Sequence, residues 1–550
     1  MLRSRGVGFI FVFSALVWLA AGCETVGQFR SRDFAAIRMD LRKPISVKER
    51  EALLQPKALT SVGEMTTVEG LAALPCVGFG LVTGLGENGS EKGGVDPRVR
   101  DEIRKVLVTQ EGRTIKESSD MIESRDSSIV RVLGAIPAGA DTGTLFDAYV
   151  QPLDSAISLE GGYLHRTPLR TFVTTETGES ITGDVVAYAM GQVTTAAGGE
   201  GALMGSGGSG RAGMIFDGGR YEGERILILR LEDRYVLGSR TVLMEYLLNR
   251  RFANVGRAAG TPPVNYASAV SNRNVILKVP PVYRRYVARF GDVVKAIKGS
   301  YYYGPPPASQ MQKLEGLLAS GTPQEKYAAS VELEAIGTAA VPHLEAAQRK
   351  GDDWTTLYAG EGLSYLNSPA GPEMIYRAAD SSDEAVRFQA VRFVAQLTGR
   401  RAVGALREKL TDASGRIAIE AVKGLLASPD QAATQLRLAG LDLVVVPGSK
   451  GGLIVKSSGR PMVVVTGPGT FLTGSVAINA DGIGIGSVDA STVAVVAGQG
   501  AQAETITIAA TTDNLLTLLA KYNPSFETIK KVIVALEDGG NLPYKVTWLD

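Results

Sequence analysis

Four segments of this chain superpose at a fixed step, and that step limits what the middle of the molecule can fold into. They are "YAASVELEAIG", "LYAGEGLSYLN", "VRFQAVRFVAQL" and "IAIEAVKGLLAS". Ala329, Ala359, Ala390 and Ala421 lie 30, 31 and 31 residues apart, and Leu333, Leu363, Val394 and Leu425 keep the same steps. A period of about 30 residues, with helical apolar spacing and a small residue where helices approach closely, specifies stacked helix pairs, an α-solenoid over 311–437. A plain helical bundle with chance spacing is the competing reading. Solenoids of this sort usually bind proteins and rarely do chemistry. The segment "YYYGPPPASQ", 301–310, reads as a linker, since three prolines prevent a helix from running through.

Outside the repeat the chain alternates strands, glycine turns and a few helices. Glycine makes up 65 of 550 residues, about 12% against a usual ~7%. The stretch "LPCVGFGLVTGLGENG" reads as an apolar strand that runs into a literal G-x-G-x-x-G at Gly84, Gly86 and Gly89. In a dinucleotide site such glycines open a helix directly, so that its N-terminus meets the pyrophosphate. Here the next helix starts at Pro97, capped by Asp96, about eight residues too late. No acidic strand end follows at the required spacing, so a nucleotide site is not expected. Strands follow in "SSIVRVLGAIP", "TLFDAYVQPL", "GGYLHRTPLRTFV", "DVVAYAMGQV" and "RILILRLED". The segment "SRTVLMEYLLNRRF" reads as a helix with Val242, Tyr246 and Leu247 on one face, and "PVYRRYVARFGDVVKAI" as another. From Leu441 to about Ala510 short β-branched runs between glycine turns predict a small sheet or sandwich. Two helices, the first headed by Asp513 and the second with Pro524 in its first turn, and a final strand "YKVTWLD" close the chain.

The bulk numbers exclude several classes. Net charge is +1, from 58 basic and 57 acidic residues, which offers no electrostatic case for nucleic acid. Two cysteines, Cys23 and Cys76, and two histidines, His165 and His343, nearly exclude a zinc site. Neither histidine has a nucleophile-elbow sequence to serve, so both read as structural or exposed. The acidic pairs Asp352–Asp353 and Asp383–Glu384 fall in loops of the repeat and read as solvated. No catalytic residue, metal or cofactor is expected, and the chain reads as a non-enzyme.

The N-terminus "MLRSRGVGFIFVFSALVWLAAGCET" has a basic start, an uncharged run from Gly6 to Gly22, and small residues before Cys23. This is the pattern of a secretory signal, 1–22. Its end is similar to a bacterial lipobox, although Ala20 stands where leucine is usual. That resemblance implies that Cys23 is lipidated and, with Glu24 following, that the protein is anchored to the outer membrane. An ordinary cleaved signal is the alternative. Residues 23–65 read as a tether. With Cys23 acylated, Cys76 has no partner within the chain, and its apolar surroundings predict burial.

The ends of the chain resemble the flagellar basal-body P-ring protein family. The resemblance rests on "VGFGLVTGLGENGSE", Val77 to Glu91, with its following helix. It rests also on "GGYLHRTPLR", Gly161 to Arg170, on "RILILRLEDRYVLGSRTVLMEYLLNRRF", and on "LLTLLAKYNPSFETIKKVIVALEDGGNLPYKVTWL". It covers about 65–300 and 440–550. It implies a multidomain α+β fold of β-rich and mixed P-ring-like domains, here interrupted by a HEAT-like insertion. The expected division is a β-rich domain at 66–200, an α+β domain at 201–300, the linker, the repeat, a β-rich domain at 438–510, and a helix–helix–strand tail at 511–550. Three departures stand out: the inserted repeat, the lipoprotein-type signal, and the lack of the disulfide that stabilises the usual subunit.

The resemblance implies a homo-oligomeric ring around the flagellar rod in the periplasm, within peptidoglycan and beside the L-ring, acting as a bushing. The repeat would add an unknown protein partner. Ring or rod contacts are expected in Val77, Gly78, Phe79, Gly80, Leu81, Val82, Gly84 and Leu85, and in Thr167, Pro168, Leu169 and Arg170; ordinary strand and turn is the alternative for each. A lipid-anchored envelope scaffold unrelated to flagella is the second reading of the whole chain. An exported hydrolase, the third, would need paired carboxylates in a cleft.

Overall fold

A computed structural model describes residues 61–90, 95–174, 180–195, 211–236, 240–253, 255, 262–437, 441–457, 459–497, 504–522 and 526–549. The signal, Cys23, most of the tether and Pro524 lie outside these. The chain forms two compact units, one comprising the described residues up to Gln310 with Glu334–Ala339, the other Met311–Leu333 and Ala340 onward. The fold is mixed α+β, with helices and several sheets.

The first unit holds a closed six-stranded barrel. Its strands are β2 (Leu74–Thr83), β3 (Ser127–Ile136), β4 (Leu145–Pro152), β5 (Tyr163–Thr174), β6 (Ser180–Gln192) and β7 (Gly213–Tyr221). They close in the order β2-β3-β4-β7-β6-β5, all antiparallel. Strand β7 thus lies past the 200/201 division drawn from the sequence. Cys76, Val82, Val130, Val132, Phe146, Leu164, Leu169 and Ala187 fill the lumen. Helices α2 (Pro97–Glu111) and α3 (Ile115–Glu123) cover one outer wall, where Leu81, Ile103, Leu107, Ile122 and Ile129 form a second core. Strand β2 is therefore buried on both faces, which is why "VGFGLV" runs apolar without alternating. Asp96 caps α2, as its sequence predicts; α3 is capped by a reciprocal Thr114–Glu117 pair that the sequence reading passed over.

The same unit carries a four-stranded sheet, order β1-β8-β10-β9, from β1 (Thr66–Glu69), β8 (Ile226–Leu231), β9 (Ala267–Ala269) and β10 (Asn274–Lys278). Helices α1 (Val62–Met65), α4 (Arg240–Phe252) and α5 (Val287–Ala296) accompany it. Helix α4 buries Thr241, Met244, Leu247, Leu248 and Phe252. Tyr246, expected on the inner face, is 49% exposed; its ring lies beside the Arg250 guanidinium instead. The "PVYRRYV" segment winds as a 3-10 turn over Pro281–Tyr286 before α5 begins.

Eight helices follow in sequence, in the second unit except for residues 308–310 and 334–336, which belong to the first: α6 (Ala308–Ser320), α7 (Pro323–Ile336), α8 (Val341–Gln348), α9 (Asp353–Tyr365), α10 (Ala370–Ala378), α11 (Glu384–Val394), α12 (Arg400–Glu408) and α13 (Gly415–Leu426). Ala329, Ala359, Ala390 and Ala421 sit on α7, α9, α11 and α13, every second helix, and all are at most 2% exposed. A Cβ at Gly360 would press on Met374 and Ile375 of the next helix, so small residues set the spacing here. The expected loop carboxylates are not simply solvated. Asp352 caps α9 and pairs with Lys326 at 2.6 Å, and Asp383 caps α11. Polar bonds recur near the repeat spacing: Glu315–His343 and Asp353–Ser381, 28 apart, Asp380–Lys409, 29 apart, and Glu384–Ser414, 30 apart.

Beyond lies a mixed sheet, order β11-β12-β14-β13-β19, from β11 (Thr434–Arg437), β12 (Asp442–Val446), β13 (Gly452–Lys456), β14 (Met462–Thr466) and β19 (Val546–Leu549). A four-stranded antiparallel meander follows: β15 (Ala477–Ala480), β16 (Ile483–Ser487), β17 (Thr492–Ala497) and β18 (Glu504–Ala509). Helices α14 (Thr512–Tyr522) and α15 (Phe526–Asp538) share a core with both sheets through Leu515, Leu519, Ile529 and Val532. Asp513 does head α14, but its carboxylate accepts from Gly469 N–H at 2.9 Å.

Candidate interface at the barrel seam

The two segments singled out by sequence, 77–85 and 167–170, meet in space. Strand β2 pairs with β5, Val77 opposite Arg170 and Val82 opposite Leu164, with a register shift between them. Two glycines make that approach possible. A Cβ on Gly78 would overlap the Pro168 carbonyl, and one on Gly80 would overlap Thr167 Oγ1. Gly78, Gly80, Leu81, Val82, Leu85, Thr167, Pro168 and Leu169 are buried within the unit, and Phe79 packs beneath the helices. Half-buried Val77 and Arg170 and exposed Gly84 are what this seam offers outward. Arg170 reaches Glu102 on α2 at 3.9 Å.

The glycine-rich loop after β2 does bind an anion, but an internal one. Gly84 and Gly86 adopt φ of +79° and +56°, with Leu85 right-handed between them. This arrangement turns successive N–H groups inward as a nest. The Asp126 carboxylate occupies it, accepting from Gly84 N–H at 3.2 Å and from Gly86 N–H. Gly89 has a separate reason: a Cβ there would strike the Arg125 carbonyl. The G-x-G-x-x-G is thus a folding device.

Beside the loop lies a grouping that sequence reading missed. His165 Nε2 is 3.0 Å from Thr83 Oγ1, and its Nδ1 is 3.1 Å from both Glu111 carboxylate oxygens. The partners are 82 and 54 residues away, so no local spacing signals them. The order hydroxyl–imidazole–carboxylate is that of a nucleophilic triad. The natural oxyanion donor, the N–H after Thr83, is already committed to Asp126, whose negative charge would repel an oxyanion. The group therefore acts as a clasp joining β2, β5 and α2. His343 bonds Glu315 at 3.0 Å.

Cys76, in the same strand, is free and 0% exposed. Burial pushes its thiol up to about 12. Among the described residues no group of three metal-ligating side chains occurs, and no helix is long and apolar enough to cross a membrane.

Residues 61–298, the barrel with its α/β sheet, match the family model described as flagellar P-ring protein. Curated relatives carry the same name. That of Helicobacter acinonychis is 26% identical over 134 residues, 24% of this chain and 35% of the relative. That of Campylobacter lari is 32% identical over 133 residues, 24% and 34%. That of Escherichia fergusonii is 26% identical over 224 residues, 40% and 56%. The chain spans about a third of the length of the first of these and just over half of the last.

Proposed function

We propose that this chain, P-ring-related over residues 61–298, is a structural, non-enzymatic subunit of a P-ring-like ring in the flagellar basal body. In this reading many copies surround the rod in the periplasm, within the peptidoglycan layer and beside the L-ring, and the ring acts as a bushing. The single observation that carries it is the coincidence of the family match with the barrel and its α/β sheet. A barrel has no open edge and a well-filled wall, as a bearing surface needs. Cyclic closure requires two different patches meeting between copies. At the seam the outward residues Val77, Gly84 and Arg170 are the candidates for ring or rod contact, and the buried members of 77–85 and 167–170 support them from within.

The helical stretch 311–437 is read as a HEAT-like solenoid that holds a further protein partner, and Cys23 as the lipid attachment to the outer membrane. These two features favour a second reading, a lipid-anchored envelope scaffold. Isolation of basal bodies from the native bacterium, with immunolabelling in electron micrographs, separates the two. Label on a ring around the rod is expected. Intact, unlabelled basal bodies with the protein elsewhere in the envelope would overturn the ring and leave the scaffold.

A further inference from the structure

The sheet edges of this chain are treated unequally. The barrel has none. The β9 edge is covered by α4: Asn249 accepts from Ala267 N–H at 2.8 Å and donates to its carbonyl at 2.9 Å, and Glu245 accepts from Ala269 N–H. Strand β11 ends in Arg437. The meander β15–β18 is different. Among the described residues no strand or isolated bridge pairs the outer edge of β15 or of β18. Strand β15 reads "AINA" and β18 "ETITIA", with no lysine, arginine or proline and a single charge, Glu504, at the start of β18. An open edge with so little charge along it is a template for another strand.

We infer that these two edges pair with each other between copies of this chain. The inference rests on the ring reading above and names its subunit contact. Three observations support it. First, the meander has four alternating strands, so β15 and β18 run in opposite directions. A copy set alongside presents its β15 antiparallel to β18 and continues the sheet, a heterologous contact of the kind a ring needs. Second, one apolar row crosses the core face: Ile478 opposite Ile485, Ile485 opposite Val495, Val495 opposite Ile506. It ends at both edges in half-buried isoleucine. Setting Ile506 against Ile478 of the next copy extends the row and buries both ends. Third, the acidic groups that this register brings near one another each have a partner already. Glu504, which accepts from the Tyr522 hydroxyl at 3.2 Å, falls opposite Ala480 of the next copy, next to Asp481, which is paired with Lys531. On the outer face it sets Thr505 against Asn479, both exposed.

The test uses the full chain in its native cell, with Thr505→Cys and Asn479→Cys singly and together, treated with a short bismaleimide. Cys23 and Cys76 are present in every sample, so the parent chain reports their background. Both sites face solvent, and an unchanged thermal midpoint confirms the fold. The double variant is expected to give a ladder of dimers, trimers and higher species, and each single variant only background. A double variant without a ladder overturns the contact. So does a strong dimer from Thr505→Cys alone, which would mean β18 pairing with itself about a two-fold axis. Electron microscopy of the same preparations separates the failures. Rings without a ladder remove this contact and leave the ring reading; the absence of any ring removes both.

Discussion

Glu334 is 0% exposed and sits against two guanidinium groups. Arg289 grips one carboxylate oxygen through Nε at 3.0 Å and Nη2 at 2.8 Å, and is itself 4% exposed. Tyr283 donates its hydroxyl to the other oxygen. Arg251 donates Nε to the Glu334 backbone carbonyl at 2.7 Å and holds Nη2 3.8 Å from the carboxylate. Glu334→Ala removes the buried carboxylate that Arg289 and Arg251 share, a loss of about 3–5 kcal/mol. At about 1.4 kcal/mol per decade, that is roughly two to four decades in the unfolding constant. Glu334→Gln keeps the shape and loses the charge, and should cost about 1.5–3 kcal/mol. Replacing the central pair by apolar groups, Glu334→Leu with Arg289→Met, should recover much of the alanine loss, since ion pairs of this kind return little beyond their desolvation cost. The assay must watch the right unit. Trp354 and Trp548 both lie in the second unit, so their fluorescence reports on that one. Labelling of the buried Cys76 thiol along a urea series reports on the first. The Cys76 midpoint should fall and the tryptophan midpoint should move far less. A loss below about 1 kcal/mol for Glu334→Ala, or a double variant worse than the single one, would refute the reasoning.

Four further outcomes follow from the same geometry. Gly80→Ala and Gly78→Ala should each destabilise the barrel by about 1–3 kcal/mol, because the new methyl meets Thr167 or the Pro168 carbonyl; thermal melts followed by circular dichroism measure this. Asp126→Ala, which empties the nest under Gly84 and Gly86, should cost about 1–3 kcal/mol in the same melts, as two N–H groups lose their acceptor. Cys76, with its thiol pushed up to about 12, should resist iodoacetamide at pH 8 in the folded chain and react on unfolding, as mass spectrometry of timed samples will show. For Asp352, burial raises the carboxyl, but Lys326 and the Thr355 bonds outweigh it and hold it below the usual value of 3.8. Its contribution is therefore full above that value and lost as pH falls through the lower folded value, so Asp352→Asn should flatten the acid limb of the tryptophan-monitored stability curve.

The parts legible in sequence were those whose signal is local. The step between Ala329, Ala359, Ala390 and Ala421 marked every second helix, and Asp96–Pro97 marked the start of α2, because packing distance and capping are written in neighbouring residues. Barrel closure was not legible. It depends on β7 returning to β6 across an intervening glycine-rich stretch, and no residue in β2 records that. The glycine loop could be refused as a nucleotide site, yet its actual occupant, Asp126, stands 42 residues from Gly84. The two seam segments were named from sequence as contact candidates, but neither their pairing nor their burial was readable, since β2 is covered on one side by the lumen and on the other by α2 and α3. Tyr246 misled because an aromatic ring on a helix can lie along an arginine as well as face a core.

Four polar bonds of the helical stretch join residues 28 to 30 apart in the sequence. In the solenoid reading proposed above, each turn of the pattern is fastened chiefly to its immediate neighbours, and the stretch behaves as a ruler with interchangeable divisions. Removing one division of 31 residues rejoins like to like and shortens the reach by one step. Removing half of one sets unlike faces together. In that reading length is a property this region can change in whole steps while the barrel and the terminal sheets keep their own cores.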